Sequence, residues 1–242
     1  MKNNKVERAV ILAAGLGTRL KPVTDNIPKP LVKVNGKRII ETALDALLEN
    51  GIENIYIVCG YLAEKFQILQ SKYPMLKFIN NKYYSESNNI SSILSAKNLI
   101  KNAYIIEGDL LIQNPKVIAP YQNESNYLAV KVSQTDDWCF KTDEQNYIKK
   151  ILVGCKEACF QMVGISYWNE EDGIKLAANA EKIFNSANGR QIYWDEIALS
   201  YFISEYKIRV RECSPKDVIE IDTLKELQSL DSSYQKISEV IL

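Results

Sequence analysis

The chain has 242 residues, the length of one ordinary to large domain. Its 30 basic residues balance 30 acidic ones, which excludes the broad basic field of a nucleic-acid-binding surface. No apolar run is long enough to span a bilayer. Met1 to Lys5 lead straight into a strand-like run without the apolar region of a signal peptide, so the expected setting is cytoplasmic. There is no histidine, which rules out Ser-His-Asp and Cys-His catalysis and His-ligated metal sites. The five cysteines, Cys59, Cys139, Cys155, Cys159 and Cys213, contain no Cys-x-x-Cys. They read as ordinary reduced thiols, because no second pair or histidine completes a metal site around Cys155 and Cys159. Chemistry must then rest on carboxylates, lysine, arginine and a hard cation.

Val6 to Ala14 carries the continuous apolar run Ala9-Val10-Ile11-Leu12 and predicts a strand buried on both faces. Ile39, Ile40, Ala43, Leu44, Leu47 and Leu48 recur at helical spacing, with Gly51 as the stop. Ile55 to Val58 predicts a strand ending at Gly60, and Leu62, Phe66 and Leu69 a helix. Lys77 to Ile79 is a short strand, Ile90 to Ile100 a helix, and Tyr104 to Ile106 a strand running into Glu107-Gly108-Asp109. This βαβαβ rhythm argues for a parallel sheet with helices on both faces. Beyond it, strands are expected at Tyr127–Val132, Tyr147–Leu152, Cys159–Tyr167 and Ile208–Glu212, and helices at Asp172–Phe184, Trp194–Ser204 and Leu224–Leu230. The whole reads as a single α/β domain over 1–242, an open, mostly parallel (mixed) Rossmann-like sheet. Residues 1–125 would form the open α/β core and 126–242 a substrate-side lobe.

The first strand is followed by Ala13-Ala14-Gly15-Leu16-Gly17-Thr18-Arg19-Leu20. Glycines at the carboxyl end of a strand let backbone N–H groups cradle phosphate. The loop is neither a Walker A loop nor a dinucleotide fingerprint. Pro28 and Pro30 stiffen the segment around Lys29 and favour it as a phosphate ligand beside Arg19. Asp109 and Asp222 each end an apolar run; two carboxylates at one cleft suit magnesium, a hard cation taking oxygen ligands. Glu220 would share the face of Asp222 as support. Trp138, Tyr193, Trp194 and Asp195 combine aromatic faces with a carboxylate, the chemistry that holds a quaternary ammonium.

Together, Leu12 to Leu20 and Pro28-Lys29-Pro30 resemble the signature of the nucleotidyltransferases that make sugar nucleotides and related activated compounds. Asn35-Gly36-Lys37, Gly60-Tyr61-Leu62, Asn88-Asn89, Gly108-Asp109, Trp138, Tyr193-Trp194-Asp195 and Glu220-Ile221-Asp222 resemble one branch of them, the bacterial CTP:phosphocholine cytidylyltransferases. Residues 85–92 depart from the Pro-x-Gly-Thr-Ala of sugar-phosphate enzymes. The resemblance implies transfer of CMP from CTP to phosphocholine, giving CDP-choline and pyrophosphate, with Mg2+ held by Asp109 and Asp222. It implies that Leu12, Ala13, Ala14 and Gly15 contact the base, that Gly15, Leu16, Gly17, Thr18 and Arg19 hold the phosphates, and that Lys29 assists at the α-phosphate. Gly60, Tyr61 and Asn88 would close around cytosine and ribose. Arg19, Lys29 and Asp109 would be the catalytic set. Trp138, Tyr193, Trp194 and Asp195 would bind the acceptor, and Lys131 its phosphate or phosphonate.

A phosphate monoester has a second pKa of about 6, so its own oxygen is the nucleophile and no histidine is required. Phosphoethanolamine or 2-aminoethylphosphonate would suit Asp136, Asp137 and Asp195 as acceptors, since a primary ammonium donates hydrogen bonds; a sugar or polyol phosphate fits the aromatics less well. A non-catalytic module should have lost one of Arg19, Lys29, Asp109 or Asp222. The expected partners are CTP and a small aminated phosphate, with neither nucleic acid nor membrane, in a monomer or homodimer.

Overall fold

The computed structural model describes residues 4–238. The first strand, β1 (Arg8–Ala13), is buried along its apolar length and sends alternate residues to opposite faces. Ala9, Ile11 and Ala13 enter one core; Val10 and Leu12 enter the other. Helix α1 (Ile39–Glu49) covers the first face with Ile40, Ala43, Leu44 and Leu47. Its start is fixed by Glu41, whose carboxylate accepts from the Arg38 N–H at 3.0 Å, and Gly51 follows its end at φ +72°. β2 (Ile55–Cys59) and β3 (Lys77–Asn80) add in parallel on one side of β1. After α2 (Ile90–Ser95), β4 (Ala103–Glu107) returns to pair in parallel on the other side of β1. The direction of winding therefore reverses between β1 and β4. Open α/β sheets bind ligands at such a reversal, beyond the carboxyl ends of the strands.

The remaining strands of three residues or more are β5 (Leu110–Ile112), β6 (Asn126–Val132), β7 (Thr135–Thr142), β8 (Ile148–Cys155), β9 (Cys159–Trp168), β10 (Arg209–Glu212) and β11 (Val218–Glu220). The main sheet has nine strands, with the path β8-β7-β9-β4-β1-β2-β3 and with β6 and β10 off it. β9 joins the two regions: Ile165 to Trp168 pair antiparallel with β4, while Gln161 and Phe160 pair antiparallel with β7. Along its length it also pairs with β6, where the register breaks between Tyr127 and Ala129. Gly164 sits opposite that break at φ +68°, a conformation natural to glycine. The sheet is mixed, as expected: the strands around β1, and the β6–β10 pair, are parallel, and the others are antiparallel. β5 and β11 form a separate antiparallel pair. α3 (Glu170–Phe184) and α2 cover the second face, so helices lie on both faces as expected, and α4 (Leu224–Leu230) closes a third, smaller core.

Four elements differ from expectation. Residues 63–69 form a 3-10 helix, in keeping with Phe66 and Leu69 standing three apart as its buried residues. α2 stops at Ser95 rather than Ile100; the Ser95 hydroxyl donates to the Ser91 carbonyl, and turns follow. The expected helix 194–204 breaks into an α-turn at Trp194–Glu196 and a π-turn at Ile197–Tyr201. The wider turn lets the consecutive residues Ile197, Ala198 and Leu199 all reach the core. β7 was not expected, because Asp136 and Asp137, both exposed, interrupt its apolar alternation.

Candidate active site

Two cavities meet at the winding reversal. The first, of about 400 Å³, is lined by Leu12 to Arg19 after β1, by Lys29 and Pro30, and by Glu107 to Asp109 after β4. Asn81, Tyr84, Ser87, Asn88, Asn89, Ser91 and Ser92 form its far wall. The loop is held close to its neighbours by three glycines with different reasons. Gly17 has φ +63°, and a Cβ there would meet Lys29 Cβ at 3.2 Å. At Gly108 a Cβ would lie 2.7 Å from the Leu12 carbonyl oxygen, and at Gly60 2.6 Å from Tyr84 Cβ and 2.8 Å from the Ala14 carbonyl oxygen. Gly15 has nothing within 4 Å on that side; it faces open cavity.

Lys29 is 9% exposed. Its ammonium donates to Asp109 Oδ2 at 2.7 Å and to Asp222 Oδ1 at 2.8 Å. Burial alone would depress its pKa; the two carboxylates outweigh that and hold it above the ordinary lysine value. Arg19 makes a forked pair with Asp222, at 2.9 and 2.8 Å. Asp222 itself is fixed from behind by α4: the Asp222 and Thr223 N–H groups donate to Glu226, and the helix cap is Thr223. Carboxylate oxygens of Asp109, Glu220 and Asp222 all lie within 4.8 Å of one another. Asp109 Oδ1 is buried with no hydrogen-bond partner among the described residues, an unmet acceptor that a cation would satisfy. Desolvation, then the charges of Asp109 and Asp222, push Glu220 up to about 8. An all-oxygen set of this kind fits a hard divalent cation.

The second cavity, of about 380 Å³, continues from the first and shares Arg19, Asn89, Glu107, Asp109 and Asp222. Its further walls are Asp137, Trp138, Met162, Gly164, Tyr193, Asp195 and Glu220. The Trp138 and Tyr193 rings meet edge-to-face at 5.6 Å, and Tyr193 is 44% exposed. Behind them lie two carboxylates, Asp195 buried and Glu107 half-buried. Asp195 accepts from the Tyr127 hydroxyl at 2.6 Å, and burial pushes its carboxyl up to about 7. Glu107 accepts from the Trp194 indole N–H at 2.8 Å; burial, then Asp195 and Asp109, raise it well above the ordinary value. The lining is therefore acidic, with Arg19 its only cation among the described residues. The two walls are tied together, since Asn88 N–H donates to the Arg190 carbonyl at 2.7 Å and Trp194 N–H to Asn89 Oδ1 at 2.9 Å.

Most expected site residues thus converge on these cavities: Leu12, Ala13, Ala14, Gly15, Leu16, Gly17, Thr18, Lys29 and Asn88 on the first, Trp138, Tyr193 and Asp195 on the second, and Arg19, Asp109 and Asp222 on both. Four do not. Gly60 and Tyr61 line neither cavity and brace the loop instead: Tyr61 N–H donates to the Ala14 carbonyl, and its hydroxyl to the Thr24 and Asp25 carbonyls. Trp194 is 1% exposed, stacked near Tyr127 and Trp168; it orients Glu107 instead of offering a face to a ligand. Lys131 is exposed and lines neither cavity, because it lies beyond Tyr127 and Ala129 on their side of β6, where the core ends. Glu107, Asn81 and Met162 were not anticipated as site residues; only the strand-end position of Glu107 could have signalled its place.

This architecture defines a class before it defines a reaction: a nucleotide-sized cleft at an α/β winding reversal, with a carboxylate cluster at its junction with a second, acidic cavity. A family model described as nucleotidyl transferase matches residues 8–135, and the chain belongs to that family. It is 35% identical over 235 residues to a 2-aminoethylphosphonate cytidylyltransferase of Lancefieldella rimae, covering 96% of this chain and 95% of that one. It is 33% identical over 239 residues to a choline-phosphate cytidylyltransferase of Streptococcus pneumoniae, covering 97% and 98%. The solved structure of the CTP:phosphocholine cytidylyltransferase of Streptococcus pneumoniae superposes with a TM-score of 0.86 at 31% identity, covering 93% of this chain and 98% of that one. Among the described residues no helix is long and apolar enough to cross a membrane.

Proposed function

We propose that the chain is a cytidylyltransferase that transfers CMP from CTP to phosphocholine, releasing pyrophosphate. The observation that carries this reading is the pairing of the Trp138–Tyr193 faces with the Asp195 carboxylate in a cavity that opens directly onto Arg19, Asp109 and Asp222. A quaternary ammonium has no N–H to donate and is held by aromatic faces with carboxylates as counter-charge. The acceptor's phosphate is then directed toward the junction of the cavities. In this reading the cytidine and phosphates occupy the first cavity, walled mainly by residues before 125, and the acceptor the second, to which residues after 125 add the aromatic wall.

Asp109 and Asp222 would hold Mg2+, with Glu220 beside them; the bound cation would polarise phosphate oxygens and neutralise the charge that develops on pyrophosphate. The chain's own residues position and shield. Backbone N–H groups of Gly15 to Thr18 face the phosphates, and Arg19 opposes their charge at the mouth of both cavities. Lys29, already ionised and held between two carboxylates, is placed to shift its hydrogen bonds to the α-phosphate as negative charge grows there. The acceptor's dianionic oxygen attacks phosphorus in line and pyrophosphate leaves, so no protein base is needed. A cytoplasmic setting, supported by the free thiols, and a monomer or homodimer complete the proposal.

A second reading, with 2-aminoethylphosphonate or phosphoethanolamine as acceptor, is favoured by Asp137 and Asp195 in the same cavity, since a primary ammonium can donate to carboxylates. Pyrophosphate release measured with CTP, ATP and GTP against phosphocholine, phosphoethanolamine, 2-aminoethylphosphonate and sugar phosphates separates the readings. The proposal expects CTP with phosphocholine to give the highest kcat/KM, and Trp138→Ala to lower it roughly tenfold or more, about 1–2 kcal/mol of cation–π contact. A preference for the primary amines that Trp138→Ala leaves unchanged would transfer the function to the second reading.

A further inference from the structure

Cys139 of β7, Cys155 at the end of β8 and Cys159 at the start of β9, on three successive strands, place their sulfurs within 4.8 Å of one another. Strand pairing brings them there: β7 is hydrogen-bonded to both β8 and β9, and Cys155 and Cys159 flank the turn between those two strands. Cys139 and Cys159 are buried and Cys155 is half-buried, so the cluster has two covered sulfurs and one side reachable from solvent. We propose that these three sulfurs form a binding site for a thiophilic divalent cation, Zn2+, with water in the remaining position.

The geometry requires little movement. Zn–S bonds of about 2.3 Å in a tetrahedral site put sulfurs about 3.8 Å apart, and the three sulfurs already lie within 4.8 Å of one another. Three soft donors with no carboxylate in the cluster select zinc or Cu+ over magnesium. Charge favours the divalent ion. Three thiolates and Zn2+ sum to minus one, against minus two with Cu+, while the nearby Lys141, its ammonium donating to the Ala158 carbonyl at 3.0 Å, is itself offset by Glu157 at 3.3 Å. The smaller excess of negative charge favours Zn2+. In the metal-free protein, burial pushes the Cys139 thiol up to about 12 and raises Cys159, whereas the Glu157 N–H and then Lys141 lower Cys155. Zinc binds thiolates, so its binding would release thiol protons. This site is separate from the carboxylate cluster and does not depend on the proposed reaction. Because Trp138 directly precedes Cys139, occupancy would pin the strand that carries one wall of the second cavity.

The test uses the full chain, reduced with a phosphine and freed of metal, titrated with Co2+ and then Zn2+. Cobalt bound by thiolates gives an intense near-ultraviolet sulfur-to-metal band that carboxylate-bound cobalt does not, so the active-site carboxylates stay silent. One equivalent of band, displaced by one equivalent of Zn2+, is expected in the native chain and in Cys213→Ser. In Cys155→Ser the band should be lost and Zn2+ affinity, measured against a chromophoric chelator, should fall on the order of a hundredfold. If that variant fails to fold, Cys159→Ala is read in the same way. A native chain without the band, a band that survives removal of either cysteine, or uptake of Cu+ alone would overturn the proposal.

Discussion

Lys29 stands where phosphate and carboxylate chemistry meet, and its two ion pairs make its replacement informative. Lys29→Met removes a cation of nearly the same length and leaves Asp109 and Asp222 facing each other without it. Turnover should fall on the order of a hundredfold or more, with a smaller change in KM for CTP, if the ammonium acts mainly on charge that develops during transfer. Steady-state kinetics at saturating CTP check this; an unchanged kcat would remove Lys29 from the reaction. Asp195 offers a pH signature. Its carboxyl is pushed up to about 7 by burial, despite the Tyr127 hydrogen bond that works against the rise, with Glu196 adding to it. Below that pH it is neutral, above it ionised, so affinity for a cationic acceptor should improve as pH rises through about 7. The acceptor phosphate titrates at about 6, but equally for native chain and Asp195→Asn, so the ratio of their kcat/KM values isolates Asp195. That ratio should climb with pH and then level off. Stability runs the other way: a carboxyl raised in the folded state favours folding fully below about 4, and that contribution is lost through about 7. Asp195→Asn should therefore gain stability relative to the native chain above pH 7, as read from urea midpoints.

At the scale of elements, the loop after β1 is defined by what presses on it. Gly60→Ala would drive a Cβ into Tyr84 and the Ala14 carbonyl at 2.6 and 2.8 Å, one of them backbone that cannot swing aside. A loss of about 1–3 kcal/mol is expected from such overpacking, measured by urea unfolding, together with a higher KM for CTP because Ala14 and Tyr84 both line the first cavity. Gly15→Ala meets nothing within 4 Å and should leave stability unchanged while raising KM for CTP, since its methyl projects into the cavity. Equal behaviour of the two variants would contradict the separate roles. The contrast also marks how far the sequence could be interpreted. Lys29 was legible because two prolines frame it, and β1 because its apolar run is unbroken. Trp194 was not, because an aromatic residue next to a carboxylate looks the same whether its ring faces a ligand or, as here, the core. The three-sulfur cluster was invisible because Cys139 and Cys155 meet only through the β7–β8 pairing, and Asp136 and Asp137 hide β7 itself.

For the molecule as a whole, the site draws on residues from both ends of the described chain, so ligands should stabilise the entire fold. CTP at about a hundred times its Kd, with Mg2+ present, adds about 2.7 kcal/mol, which for a domain of this size is a rise in Tm of roughly 5–10 °C. Thermal melts with CTP alone, Mg2+ alone and both together should show the full shift only for both. Asp109→Asn should lose the Mg2+-dependent part; a full shift in that variant would place the cation elsewhere.

The bond between Lys29 and Asp222 spans 193 residues of chain. During synthesis at about 5–20 residues per second, Lys29 is made roughly 10–40 s before its second carboxylate exists. For that interval the loop after β1, β1 and Asp109 can assemble into a partial cleft while the pair proposed to hold the cation is still incomplete. A nascent chain stalled before β11 therefore holds that partial cleft without Asp222. The enzyme's competence is switched on late and at once, when α4 docks and Glu226 fixes Asp222 in place.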